Sequence, residues 1–228
     1  VSPNKKNKIC TVINASTLQV LQSDVKKALA FGSDYVEIRF DYLHEFDLDK
    51  IGHILSNSLH RCVFTCRKQA EGGKFIGTEN ERIKLLKKLS LQGPAFIDIE
   101  LSTLKEKPET AKVLRVENTS LIVSWHDFSK TPSFNKLSEV YKEEVLLGDF
   151  AKIVTFAKVF SDNAKILSLY KTANNGKLIS FCMGDRGIIS RILCTTMGSP
   201  FTYAALDDNG TAPGQIPIKE LRRIYDVI

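Results

Sequence analysis

Short β-branched runs alternate with longer amphipathic runs from one end of this chain to the other, and that alternation limits the possible folds more than any other feature. Strand character falls at residues 8–13, 35–40, 61–66, 95–99, 120–125, 150–155, 177–182 and 201–205. Helical character falls at 17–30, 47–56, 79–89, 103–114, 134–147, 161–172, 187–197 and 218–227. Boundary signals agree: Ser161-Asp162 precedes one helix and Asn174-Asn175-Gly176 follows it. Eight βα units in 228 residues leave about 28 residues per unit, the length arithmetic of a (β/α)8 barrel with short connections. The expected fold class is therefore α/β, a TIM barrel, with residues 1–228 forming one catalytic domain and 1–7 a flexible head. A doubly wound open sheet also alternates strand and helix, but it usually carries a Gly-rich turn after its first strand. Here that strand runs into Asn14-Ala15-Ser16. The longest irregular stretch, 206–217, is rich in Asp, Asn, Gly and Pro and is expected to act as a lid.

Composition narrows the function. The 32 Lys and Arg exceed the 26 Asp and Glu, for a net charge of +6. These positive residues are interleaved with acids, as in Lys142-Glu143-Glu144, and the one basic run, Lys5-Lys6-Asn7-Lys8, is short. A preference for small anions fits this pattern; a nucleic-acid surface does not. The five cysteines are odd in number and four lie in apolar runs, which suits free thiols in a reduced, cytoplasmic protein. Cys62 and Cys66 have no second pair near them, so no zinc site is expected. No apolar stretch approaches the roughly 20 residues of a membrane span, and no secretory leader pattern opens the chain.

In such a barrel, chemistry gathers where the strands end, and the polar residues that fall there form a coherent set. Strand two ends Glu37-Ile38-Arg39-Phe40-Asp41, with the two-residue period putting Glu37, Arg39 and Asp41 on one face. Strand three ends at Arg67 and is followed by Glu71 in a Gly-Gly loop; strand four ends Asp98-Ile99-Glu100. Strand five ends Ser124-Trp125-His126-Asp127, and the loop after strand seven contributes Ser190 and Arg191. Glu37, Arg39, Asp98 and Glu100 fit either a structural ring of ion pairs or a binding role, and Glu71 either a solvated loop acid or a functional one. His126, the one histidine at a strand end, is open between a structural and a catalytic role. Lys152 is the sharpest anomaly, because a lysine inside Phe-Ala-Lys-Ile-Val-Thr-Phe cannot snorkel to water. It suits either a salt bridge to Asp98 or Glu100, or a nucleophilic amine made reactive by burial and neighbouring arginines. Lysine, histidine and several arginines in one pocket suggest Schiff-base chemistry on a small carboxylated carbonyl compound.

Several blocks, in order along nearly the whole chain, resemble the type I 3-dehydroquinate dehydratases. They are Tyr35-Val-Glu-Ile-Arg-Phe-Asp-Tyr42, Phe64-Thr-Cys-Arg-Lys-Gln-Ala-Glu-Gly-Gly73, Phe96-Ile-Asp-Ile-Glu100 and Ser124-Trp-His-Asp-Phe-Ser-Lys-Thr-Pro132. Ala151-Lys-Ile-Val154, Met183-Gly-Asp-Arg-Gly-Ile-Ile-Ser-Arg191 and Thr211-Ala-Pro-Gly-Gln-Ile216 complete the set. The resemblance implies dehydration of 3-dehydroquinate to 3-dehydroshikimate by syn elimination. Lys152 would form an imine with the C3 ketone, His126 would act as the general acid and base, and Glu71 would orient it. It further implies that Glu37, Arg39 and Arg67 hold ring hydroxyls, Arg191 the carboxylate, and Thr211 and Gln215 close the lid, with Asp98 in the supporting network. No cofactor and no metal are implied, and the partner implied besides the substrate is a second copy, in a homodimer. Thr211 stands where the best-known members have Ser, and strand six reads Val-Thr-Phe-Ala where the familiar bacterial form reads Val-Met-Pro. The competing readings are another Schiff-base barrel of the class I aldolase or transaldolase type, a non-catalytic barrel that binds small carboxylates, and a basic scaffold for anionic partners.

Overall fold

In a computed structural model, described for residues 7–44, 46–173, 176–207, 210 and 212–228, the alternation becomes eight parallel strands ringed by helices. The strands are β1 (Ile9–Ile13), β2 (Tyr35–Arg39), β3 (Cys62–Thr65), β4 (Phe96–Glu100), β5 (Ser120–Asp127), β6 (Phe150–Phe156), β7 (Leu178–Met183) and β8 (Thr202–Ala205). Neighbours pair in parallel in the order β7-β6-β5-β4-β3-β2-β1-β8, a nearly closed barrel. At the seam between β7 and β8 the described contacts run through side chains. Arg191 donates from Nη1 to the Tyr203 carbonyl at 3.4 Å, and the Phe181 and Tyr203 rings lie 6.1 Å apart. The head expected at 1–7 falls outside the described residues except for Asn7, and the expected helix stop at Asn174-Asn175 falls wholly outside them.

The helices are α1 (Leu18–Ala30), α2 (Leu48–Leu55), α3 (Glu79–Ser90), α4 (Leu101–Glu106), α5 (Glu109–Leu114), α6 (Phe134–Leu147), α7 (Asp162–Leu167), α8 (Ile188–Leu193) and α9 (Ile218–Tyr225). Capping explains where several begin. Thr17 accepts from Val20 N, Ser133 from Lys136 N, and Thr78 and Glu81 form a reciprocal capping box. The helix expected at 103–114 is instead two helices. Pro108 has no N–H to continue the ladder and forces Lys107 out of the helical region, so the chain restarts at Glu109. The helix expected at 161–172 is α-helical only to Leu167 and tightens to a 3-10 turn over Ser168–Lys171. Ser190 and Arg191, read both with the loop after strand seven and within the helix expected at 187–197, stand on α8.

Outward-facing strand residues such as Ile38, Phe64, Ile97, Val123 and Ile153 pack against Leu21, Ile51, Leu86, Leu137 and their helix neighbours, forming the main core. The barrel interior is built in layers from alternate strands. Tyr35, Phe96 and Phe150 open β2, β4 and β6, and Phe201 immediately precedes β8. Their rings make an apolar floor, with centroids 5.1 Å apart for Tyr35–Phe201, 5.3 Å for Phe96–Phe150 and 5.6 Å for Phe96–Phe201. Two residues further along the same four strands come Glu37, Asp98, Lys152 and Tyr203. An apolar floor is therefore followed by a layer that carries charge. Phe201 is fully buried, so Phe201→Ala is expected to cost about 3–5 kcal/mol in chemical denaturation. A loss below about 1 kcal/mol would mean that the floor does not anchor the barrel.

Candidate active site

Above the floor lies a cavity, and Glu37, Arg39, Arg67, Glu71, His126, Lys152, Arg191 and Gln215 all line it. Every expected site residue that is described thus reaches one cavity; Thr211 lies outside the described residues. Lys152, only 5% exposed, holds its ammonium 3.1 Å from Asp98 Oδ2 and 3.4 Å from Glu37 Oε1, and 4.3 Å from the centre of the Tyr203 ring. The salt-bridge reading of Lys152 therefore holds for Asp98, while Glu37 takes the place expected of Glu100. Glu100 turns instead to Arg67 at 3.2 Å and Arg82 at 2.8 Å.

Buried charges persist only when paired, and the pairing here is continuous. Arg67 donates to Asp98 Oδ1 at 2.8 Å and to Ser124 Oγ at 2.7 Å; Ser124 donates to Asp98 Oδ1 at 2.7 Å, and Thr65 to Glu37 Oε1 at 2.9 Å. Burial by itself would raise the Asp98 carboxyl, but Arg67 and Lys152 hold it well below the usual carboxylate range. Arg67 resists the loss of its proton for the converse reason: the carboxylates of Asp98 and Glu100 overcome its burial. Arg39 and Asp41 were expected to share a strand face. The strand stops at Arg39, and a 3-10 turn over Phe40–Tyr42 brings Asp41 back onto it, with two bonds of 2.8 and 2.7 Å from Arg39 Nε and Nη2. Arg39 thus offers the cavity only its remaining N–H groups, and in place of the expected ring it pairs with Asp41, which the Arg67 backbone N–H ties to the Glu37, Asp98 and Glu100 network at 3.2 Å.

Glu71 closes a 3-10 turn that ends at Gly72, whose φ of 77° suits glycine, and at Gly73, where a Cβ would meet the Arg67 carbonyl at 1.9 Å. The turn brings Glu71 Oε2 within 3.1 Å of His126 Nδ1, while Ser102 donates to Oε1 at 2.7 Å. Burial would push the Glu71 carboxyl up, yet the bond and charge of His126 together with Arg67 pull it down. Burial and Arg67 lower the His126 imidazole, against the pull of Glu71. Both shifts favour a neutral imidazole beside an ionised carboxylate. An ionised carboxylate only accepts, so Nδ1 carries the proton and Nε2 keeps its basic lone pair. Phe128, stacked on His126 at 6.0 Å, shields the pair.

Arg191, 1% exposed and 4.4 Å from the Phe181 ring, has no partner for Nε or Nη2 among the described residues, and burial draws its pKa down to about 10. Those two nitrogens form the edge with which Arg39 grips Asp41, a fork that matches a carboxylate. Ser190, by contrast, accepts from Cys182 N and donates to Gly187 O, holding α8 to β7. In the described part of the 206–217 loop, Gln215 reaches the cavity and the Pro213 carbonyl accepts from Gly184 N. Among the described residues no group of three or more His, Cys, Asp and Glu side chains is arranged to hold a metal ion, and no helix is long and apolar enough to cross a membrane. Sequence reasoning missed Thr65, Phe128, Tyr203 and Arg82. The two-residue period places Thr65 with Arg67 and Tyr203 with Ala205, but Arg82 looked like part of a solvated helix face.

A type I 3-dehydroquinase family model matches residues 9–228. A 3-dehydroquinate dehydratase of Methanococcus maripaludis is 36% identical, covering 96% of this chain and 99% of the relative. One from Dehalococcoides mccartyi is 40% identical, covering 85% of this chain and 86% of the relative. Among solved structures, the type I 3-dehydroquinate dehydratase of Clostridium difficile, with covalently modified comenic acid, superposes with a TM-score of 0.85 at 26% identity, covering 97% of this chain and 91% of that one. The dyad geometry makes a direct prediction. In the free protein His126 titrates below the ordinary imidazole value of about 6.5, and lower still in Glu71→Gln, which removes the bonded carboxylate that raises it. Imidazole NMR titration checks this, and a midpoint at or above the ordinary value would contradict the assignment.

Proposed function

The chain belongs to the type I 3-dehydroquinase family and is a hydro-lyase of the shikimate pathway, acting on 3-dehydroquinate; from that premise we propose that it works through an imine on Lys152. The observation that carries the reading is a buried lysine, held between two carboxylates, in the same cavity as a neutral histidine oriented by a glutamate. Lys152 must shed a proton before it can attack the C3 ketone. Asp98, held far below the usual carboxylate range, accepts a proton poorly, whereas the free lone pair of His126, though burial and Arg67 lower its basicity, remains the better acceptor. The amine adds to C3, His126 returns its proton to the carbinolamine hydroxyl, which leaves as water, and the resulting iminium acidifies the C2 proton. His126 removes that proton, the electron pair rests as an enamine, and the return of electrons expels the C1 hydroxyl, which leaves as water with the proton from His126. Water then hydrolyses the imine and frees Lys152. One acid–base group serving one face gives syn elimination.

Glu37, Arg39 and Arg67 hold the ring hydroxyls, the unpartnered Nε–Nη2 edge of Arg191 grips the carboxylate, and Thr211 and Gln215 close over the substrate. Residues 1–228 act as one catalytic unit in a homodimer. The five cysteines, free and buried, support a reduced, cytoplasmic setting. The test is turnover of 3-dehydroquinate by the purified protein. Lys152→Met is expected to abolish it, and His126→Ala to lower kcat by about 10²–10⁴-fold while substrate still binds. Full activity in Lys152→Met would overturn the imine route and favour direct acid–base elimination.

A further inference from the structure

Tyr203 belongs to the same interior layer as Glu37, Asp98 and Lys152, and it is the member whose polar atom has no use in the chemistry above. It lines the cavity, is 3% exposed, and its hydroxyl has no hydrogen-bond partner among the described residues. A buried, unpartnered phenol contributes nothing to folding that phenylalanine would not supply. Its ring has a clear use: with Asp98 and Glu37 it completes a three-sided seat for the Lys152 ammonium.

That seat changes once Lys152 reacts. An ammonium presents three N–H donors, an iminium one. The positive charge remains, but two donors are lost. Asp98 keeps Arg67 and Ser124, whereas Glu37 keeps, among the described protein donors, only the Thr65 hydroxyl. The other groups around Glu37 are Arg39, Arg67 and the thiol of Cys10, and none of them donates a hydrogen bond to its side chain among the described residues. We propose that Tyr203 is a positioning residue that donates its phenol hydrogen to Glu37 when Lys152 is drawn into the imine, so that Glu37 keeps a second protein donor, and its place, through the turnover. Burial and Glu37 itself push the phenol well above its usual range, which keeps it a donor at every working pH.

The inference rests on the imine reading, and Tyr203→Phe in the full chain separates the two, because it keeps the ring under Lys152 and removes only the hydroxyl. With one charge-assisted bond lost after the imine forms, kcat is expected to fall about tenfold or more. KM is expected to stay within about twofold, the pattern of an interaction absent from the ground state. Tm should not drop. Unchanged kcat, a raised KM at unchanged kcat, or a fall in Tm that accounts for the lost activity would each overturn the hand-over. Failure of the parent reading looks different: wild-type turnover is then absent, or survives in Lys152→Met.

Discussion

Everything at this site depends on burying a lysine without leaving it unpaired. An isolated ammonium in a barrel interior would be driven to neutrality or out to water. Here Asp98 and Glu37 hold it, Arg67 and Ser124 hold Asp98, and Glu100 links Arg67 to Arg82. Arg82 is itself fully buried between Glu79, Thr103 and the Cys66 carbonyl. The chain of charge thus runs from the middle of the barrel to the first turn of α3, and removing one partner would strand another. Among the described residues the same pairing leaves few groups free to meet a ligand, so those that are free stand out, among them the Nε–Nη2 edge of Arg191, the lone pair of His126 and the hydroxyl of Tyr203.

Arg67 also sets the protonation of the acid–base pair. Its charge adds to the pull of His126 in favouring the Glu71 carboxylate and to burial in opposing the His126 imidazolium, so one guanidinium contributes to both halves of a neutral base beside an anion. The glycines matter for the same reason. Gly72 and Gly73 let the turn carrying Glu71 pass against the Arg67 backbone, and a side chain at Gly73 would push Glu71 away from His126.

Much of this was legible in the sequence because strand burial is written with a period of two. All eight strands appear where the β-branched runs fall, and the polar residues at their ends converge. Contacts that cross the period were hidden. Asp41 reaches Arg39 through a turn rather than along a strand, and Pro108 splits a helix whose apolar spacing reads as continuous. Arg82 sits three residues from Glu79 in a helix rich in Lys and Glu, a pattern that reads as a solvated face until β4 supplies Glu100. Tyr203 was hidden because a tyrosine in an apolar strand reads as core, and only the layer it shares with Lys152 shows that its ring faces charge.

The central claim is that Lys152 is the nucleophile, and trapping its imine tests that claim most directly. Borohydride added together with 3-dehydroquinate reduces an imine to a stable amine, after which peptide mass spectrometry locates the adduct. If Lys152 is the nucleophile, the added mass appears on the peptide that carries it and is absent when either reagent is omitted. An adduct on another lysine, or active protein that yields no adduct, would contradict it.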